Sequence, residues 1–377
     1  MALPYDFAVV GAGIAGASIA SELARKARVV LLEMEQIAGY HTTGRSAAMF
    51  APSYGPAPIR ALTRASSEFF YEPPEGFCEG PLLAPRGTLL IARADQMASL
   101  NALYEELKEE GEAIVLDAAA LETAYPLLAP GYAAAAILDR SGSDIDVAKL
   151  HQGYLRATTQ RGGTIALEHK VTEITRGADV WSLKTGAEVV EADTIVNASG
   201  AWAEELGRMV GAETVGLVPK RRTALTVPRP DGYQVGDYPL IVDIDEQFYL
   251  KPETGALLIS PANEDPVAPC DVQPEEMDVA VCVDRIERAF NLDVRRVESS
   301  WAGLRSFVAD KSPVIGFSKQ APKFFWLVGQ GGYGIQSAPA AARLGAALAT
   351  GADVPADIVA TGLRVSDLAP DRPALAA

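Results

Sequence analysis

At 377 residues, 49% of them hydrophobic and 22% charged, the chain can bury a large core and is long enough for two domains. Its 33 basic against 49 acidic residues leave a formal net charge of −16, which repels phosphate backbones and excludes nucleic acid as an expected partner. No apolar run approaches the ~18 residues of a membrane span, and the first strand begins too early for a secretory leader, so the cytoplasm is the expected location.

Residues 6 to 33 read as strand, glycine turn, helix and second strand. In Asp6-Phe-Ala-Val-Val-Gly-Ala-Gly-Ile-Ala-Gly, Gly11 allows the tight turn, Gly13 lets backbone N–H groups approach a pyrophosphate, and Gly16 lets the helix pack on the strand. The helix opening at Ile14 offers its N-terminus to the phosphates. Glu33 ends the second strand, where a carboxylate binds ribose hydroxyls and disfavours a 2′-phosphate. Residues 36 to 58 then depart from nicotinamide-domain alternation: the stretch is small, polar and glycine-bearing, suited to lie along a long cofactor, with Arg45 and Ser46 in reach of its phosphates.

Helices are expected over 59–72 and 94–111, with a short strand at 87–93 and an Ala-rich strand within 112–140. Ser143-Asp-Ile-Asp146 offers caps to a helix carrying His151, a core or capping histidine. Strands and hairpins follow over 163–190, and Thr194 to Trp202 places a buried strand before a second small-residue turn at Gly200. Residues 215–261 alternate as an antiparallel sheet, 273–291 are helical, and Phe324 to Gln336 runs from strand through glycine turn into a last helix. The final ten residues, rich in Pro and Ala, are expected to fray. Three cysteines (Cys78, Cys270, Cys282) and three histidines (His41, His151, His169) are too scattered for a metal-ligand pattern. No metal is expected, and redox chemistry here needs an organic cofactor.

Four separated elements agree: the first fingerprint, Gly39 to Ala48, Asn197-Ala-Ser-Gly-Ala-Trp202, and Gln330-Gly-Gly-Tyr-Gly-Ile-Gln336. Together they resemble the D-amino-acid oxidase (glycine oxidase/sarcosine oxidase) superfamily of flavoproteins. Within it, Gly44-Arg-Ser-Ala-Ala48, Pro219-Lys-Arg-Arg222, Phe248-Tyr-Leu-Lys-Pro252 and Trp301 to Asp310 look like the D-arginine dehydrogenase type. The resemblance implies an α/β (α+β) fold: a Rossmann-like FAD-binding domain (1–50, 145–215, 300–377) interleaved with an antiparallel-sheet substrate domain (51–144, 216–299). It implies FAD contacts from Met34, Thr42, Thr43, Gly44, Ala47, Ala48, Val171, Gly200 and Trp202. The last turn would add Gly331, Gly332, Tyr333, Gly334, Ile335 and Gln336. With no cysteine in 305–320 for a thioether link, FAD should be non-covalent.

An amino-acid substrate needs its carboxylate held by guanidinium and phenol donors in a dry pocket. Arg222 and Arg305, both in apolar contexts, fit that role, and the resemblance sets Tyr54 and Tyr249 beside them with Gly332 and Gln336. Where the D-arginine type carries a histidine and an acid, this chain has Met49 and Thr88, so amine recognition shifts to the Gly303 carbonyl. The pocket positions implied for Met49, Ala51, Thr88, Leu240 and Val242 hold no negative charge, which favours neutral, mostly apolar D-amino acids. A preference for D-arginine would require another acid, such as Glu246, to reach the pocket. The expected reaction is oxidative deamination to a 2-oxo acid and ammonia; the alternatives are an N-methyl or cyclic amino acid, a 2-hydroxy acid, or a non-catalytic FAD-binding subunit. The electron acceptor stays open among a quinone, an electron-transfer chain and O2.

Overall fold

The computed structural model describes residues 3–108, 113–233 and 235–375. The chain opens with β1 (Tyr5–Val10), α1 (Ile14–Leu23) and β2 (Val29–Leu32). The last four residues of β1 and all of β2 are buried, as expected of strands covered on both faces. An excursion follows that contains β3 (Thr88–Ala92) and α2 (Met97–Leu107); the expected helical end at 109–111 lies outside the described residues. The chain returns through α3 (Val147–Gln160), started by the Asp146 side chain accepting the Lys149 N–H. β4 (Glu188–Asn197) joins into one strand two stretches that the sequence separates. The second excursion contains β5 (Val218–Pro228), β6 (Leu240–Asp243), β7 (Tyr249–Glu253) and β8 (Ala256–Ser260). The last part holds β9 (Ser299–Phe307), β10 (Phe324–Val328) and α4 (Gly334–Thr350), which Gly351 ends in left-handed backbone at φ 69°.

Two large sheets carry the fold. In the first, of eight strands among the described residues, β2, β1, β4 and β10 lie side by side and parallel. Helices α1 and α4 pack on one face around Ile19, Leu31, Phe325 and Leu344, while Trp181, Leu206 and Trp326 fill the other. The second sheet has nine strands among the described residues, with β9, β5, β8, β7, β6 and β3 as successive neighbours. Its pairings are antiparallel except between β6 and β3, which run parallel. This is a mixed α/β fold with the two sheets interleaved along the chain.

Two features differ from the sequence reading. The expected domain boundary at residue 300 falls inside β9, which pairs with β5 from Ser299 to Phe307 and so belongs to the second sheet. The C-terminal segment is anchored as far as Arg372, which is 6% exposed and donates to the Asp310 carboxylate and to the Ser312 and Pro313 carbonyls. A buried guanidinium with that many acceptors holds the chain regardless of its Pro- and Ala-rich surroundings; residues 376–377 lie outside the described ones.

Candidate active site

The turn between β1 and α1 is shaped by close approach. Gly11, at φ 99°, has room for no side chain, since a Cβ would stand 2.5 Å from the Ala198 carbonyl oxygen. A Cβ on Gly16 would stand 1.8 Å from the Gly11 oxygen, so α1 touches the turn directly. The Glu33 carboxylate, 8% exposed, accepts the Ala12 N–H at 2.7 Å and the Glu35 N–H at 3.1 Å. From α3, the buried His151 ring lies against Gly39 and sets Nε2 2.9 Å from the Ala12 oxygen; burial lowers its pKa, which keeps the ring neutral.

The loop carrying residues 39–46 closes over this turn. Thr43 Oγ1 accepts the Ile14 N–H at 2.9 Å, and Thr42 Oγ1 donates to the Leu304 oxygen on β9 at 2.7 Å. Arg45 donates to the Val272 and Ala302 oxygens, each at 3.0 Å, and pairs with Asp271, while its own carbonyl accepts Trp301 Nε1–H at 3.0 Å. The sequence reading aimed this guanidinium at phosphates; here it ties the loop to the second sheet.

A long cavity of about 250 Å³ follows these elements. Of the residues expected to contact a dinucleotide, it is lined by Gly11, Gly13, Ile14, Glu33, Met34, Thr42, Thr43, Arg45, Ser46, Ala47, Val171, Gly200, Trp202, Gly331, Gly332, Gly334 and Ile335. Gly16 and Gly44 are not part of the lining; the Gly44 N–H donates to the Gly39 carbonyl at 2.8 Å. His41 and His169 also line it, which sequence spacing did not indicate; His41 packs on Trp202 with ring centroids 4.7 Å apart and pairs with Glu35. The glycine cradle, the acidic β2 tip and the open α1 N-terminus fit FAD: the glycine turns of residues 11–13, 200 and 331–334 would hold it.

A second cavity of about 680 Å³ lies over the nine-stranded sheet. Met49, Ala51, Thr88, Leu240 and Val242 all line it, with Ala48, Tyr54, Tyr333 and Gln336. Arg222, Tyr249, Arg305 and Gly332 line both cavities, so they stand where the two meet; Gly303 lines the first. Register explains the meeting: β5 and β9 pair Arg222 with Gly303 and Lys220 with Arg305.

Burial and the neighbouring Arg305 press the Arg222 pKa downward, but a guanidinium stays charged. Arg222 Nη2 donates to Glu264 Oε1 at 3.2 Å, while its buried Nε has no partner among the described residues. Burial, with Glu246 beside it, pushes Tyr54 up to about 12, and burial also raises Tyr333, so both phenols keep their protons to donate. The Gln336 amide fastens the loop above the cavity, accepting the Ala51 N–H at 3.0 Å and donating to the Tyr54 carbonyl at 3.5 Å.

The five expected pocket positions carry no negative charge, but Glu246, the acid the sequence offered as able to reach the pocket, does line it and acts on Tyr54, and Asp310 lines it as well. Glu246 sits in left-handed backbone at φ 55°, in a tight turn closed by its N–H on the Asp243 carbonyl at 2.8 Å. Strand alternation cannot assign a side chain in such a turn to a face, although the Asp243-Ile-Asp-Glu-Gln run could have signalled the turn. Leu90, Ser99, Leu103 and Leu107 line this cavity as well and escaped the sequence reading, because a helix stripe must first be docked. No group of three or more His, Cys, Asp or Glu that could hold a metal occurs among the described residues.

The comparisons with known proteins point to one family of flavoproteins with several substrates. The chain is 23% identical over 347 residues to a glycerol 3-phosphate dehydrogenase of Caloramator mitchellensis, covering 89% of this chain and 72% of that protein. It is 26% identical over 342 residues to human mitochondrial sarcosine dehydrogenase, covering 84% of this chain but only 36% of that longer protein. The crystal structure of glycine oxidase from Geobacillus kaustophilus superposes with a TM-score of 0.81 at 23% identity, over 96% of this chain and 99% of that one. The model of the DAO family, FAD dependent oxidoreductase, matches residues 6–348. The chain therefore belongs to the DAO family of FAD-dependent oxidoreductases, with FAD as its cofactor.

Proposed function

We propose that the protein oxidises the Cα–N bond of D-amino acids with neutral, mostly apolar side chains, yielding after hydrolysis a 2-oxo acid and ammonia. The supporting observation is the placement of Arg222, Tyr249, Arg305 and Gly332 on both cavities, which sets carboxylate-binding groups where the substrate must meet the cofactor. FAD, when bound, supplies the hydride acceptor. The residues of the chain do the rest by orientation: the two guanidiniums and the Tyr54 and Tyr249 phenols grip the carboxylate, and the Gly303 carbonyl accepts from the amine. Hydride loss from a neutral amine needs no strong base, in keeping with a second cavity that no histidine lines among the described residues. Glu246 acts on Tyr54 and both arginines, so it offsets their charge rather than selecting a cationic side chain.

The site departs from the D-arginine dehydrogenase type at Met49 and Thr88, which is the ground for a neutral preference. The same clamp would hold an N-methyl amino acid, and the sarcosine dehydrogenase likeness favours including that class in the test. The experiment is anaerobic mixing of the FAD-loaded protein with D-, L- and N-methyl amino acids and 2-hydroxy acids, following loss of oxidised-flavin absorbance. Among the common amino acids, D-leucine, D-methionine, D-phenylalanine and D-valine should bleach faster than charged or small polar ones. Bleaching by L-, N-methyl or hydroxy acids alone would overturn the D-amino-acid reading, and no bleaching by any would support a non-catalytic FAD protein.

A further inference from the structure

The second cavity extends far beyond what a carboxylate clamp requires, and the sheet sets its direction. Arg222 stands on β5, Tyr249 on β7, Val242 on β6 and Leu90 on β3, in the strand order β5, β8, β7, β6, β3. At ~4.8 Å per strand, Leu90 stands ~19 Å from the strand of Arg222. Register pairs Val242 with Tyr249 on one side and with Leu90 on the other, and sets Leu240 beside Thr88. Leu89, Ile91 and Ile241 point into the opposite core and are fully buried, whereas Leu90, Leu240 and Val242 face the cavity half-buried.

Helix α2 forms the far wall with Ser99, Leu103 and Leu107, spaced four residues apart on one stripe. The helix rests on Ala135 and Ile137 of the strand beyond β3, which leaves the wedge over β3 and β6 unfilled. Protein interiors close such gaps, and a cavity of about 680 Å³ lies in the range that holds drug-sized molecules. Several charged lining groups are engaged elsewhere: Lys251 is held by Asp144 at 3.1 Å and Glu253 at 2.6 Å, Arg60 by Glu106 at 3.3 Å, and Asp310 by Arg372 at 2.7 Å, while Glu246 stands by Tyr54 at the clamp end. Along the floor, the buried Thr88 hydroxyl has no hydrogen-bond partner among the described residues.

We propose that the substrate carries a long, apolar side chain, about six or more heavy atoms, laid from Tyr249 across Val242 to Leu90 and the α2 stripe. The proposal rests on the reading that Arg222 and Arg305 hold the substrate carboxylate at the near end. Small amino acids would bind there and leave the trough wet.

The test uses unreactive straight-chain carboxylates, acetate through decanoate, titrated into the FAD-loaded protein while the flavin difference spectrum is followed. Kd should fall about tenfold or more from acetate to octanoate, as methylenes leave water. Leu103→Trp should abolish that gain while leaving acetate binding within about twofold, and Ser99→Trp gives the same reading from the neighbouring turn should Leu103→Trp not fold. A Kd independent of chain length, or a gain that survives both tryptophans, would overturn the trough. If no carboxylate perturbs the flavin, acetate included, the clamp fails and the proposal falls with it. Chain-length dependence with carboxylates, together with failure of D-amino acids to bleach the flavin, would uphold the trough and overturn only the reaction assigned above.

Discussion

The Arg305 guanidinium lies directly against Gly332: a Cβ at residue 332 would stand 2.7 Å from Nη1 and 2.9 Å from Cζ. Arg305 is on β9 of the second sheet and Gly332 in the turn before α4 of the first, so the absent side chain lets the guanidinium reach the junction of the cavities. Gly332→Ala should lower kcat/KM by about a hundredfold, the scale of a 1 Å misplacement, and FAD content by much less, with Tm close to wild type. The displaced atoms are the tip of a flexible side chain, so the fold absorbs the change. Steady-state kinetics beside flavin content checks this; a loss of FAD equal to the loss of activity would contradict it.

Arg305→Met should cost about 3 to 5 kcal/mol in kcat/KM with the flavin spectrum intact, the scale of leaving a buried carboxylate unpaired. Arg222→Met should cost less, because Arg222 divides its guanidinium between the cavity and Glu264, which keeps Lys220 at 2.9 Å. Kinetics of both variants with one D-amino acid decides the order.

Glu33→Ala should weaken FAD binding by about 1 to 3 kcal/mol, since it removes an acceptor for ribose and also frees the Ala12 N–H of the turn. Fluorescence titration of apoprotein measures the loss. From the wild type, acid or heat should release intact FAD, leaving a colourless precipitate.

Cys282 is fully buried among the second sheet's core residues, and burial pushes its thiol up to about 12. The folded state keeps this proton where the unfolded chain loses it, so the thiol's contribution is complete below its ordinary value of 9.0 and is lost as pH rises toward about 12. Tm should fall across that window, and Cys282→Ala, though less stable at pH 7, should show a shallower fall. Equal slopes would remove Cys282 as a cause.

Thr88→Glu should shift preference toward D-arginine and D-lysine, because it adds an uncompensated carboxylate to an apolar floor two strands from Tyr249. The ratio of kcat/KM for D-lysine over D-leucine reads the shift. A wild type that already prefers D-arginine would give Glu246 the recognition role instead.

Residues whose function is set by a local turn were legible in the sequence. Gly11, Gly16 and Glu33 declare themselves within thirty residues because spacing alone fixes the strand, turn and helix. Arg222 and Arg305 could be singled out by type and context, but the β5–β9 register that brings them together is a contact over more than seventy residues. Glu246 could be named as an acid able to reach the pocket, but its left-handed turn hid that it does, and the distance to Asp271 hid the Arg45 anchor. The α2 wall was illegible for another reason: Ser99, Leu103 and Leu107 read as one face of an amphipathic helix, and only docking on the sheet shows that part of this face meets empty space.

The ladder between β9 and β5 runs unbroken through nine residue pairs, and the same β9 carbonyls at 302 and 304 anchor Arg45 and Thr42 of the cofactor loop. A slip of one residue would turn Arg305 to the wrong face and unfasten that loop in the same movement. The chemical end of the site is therefore inherited whole or lost whole. The α2 end shares none of those bonds, so substitutions at Leu103 or Leu90 can redraw the range of side chains accepted while the reaction stays as it was.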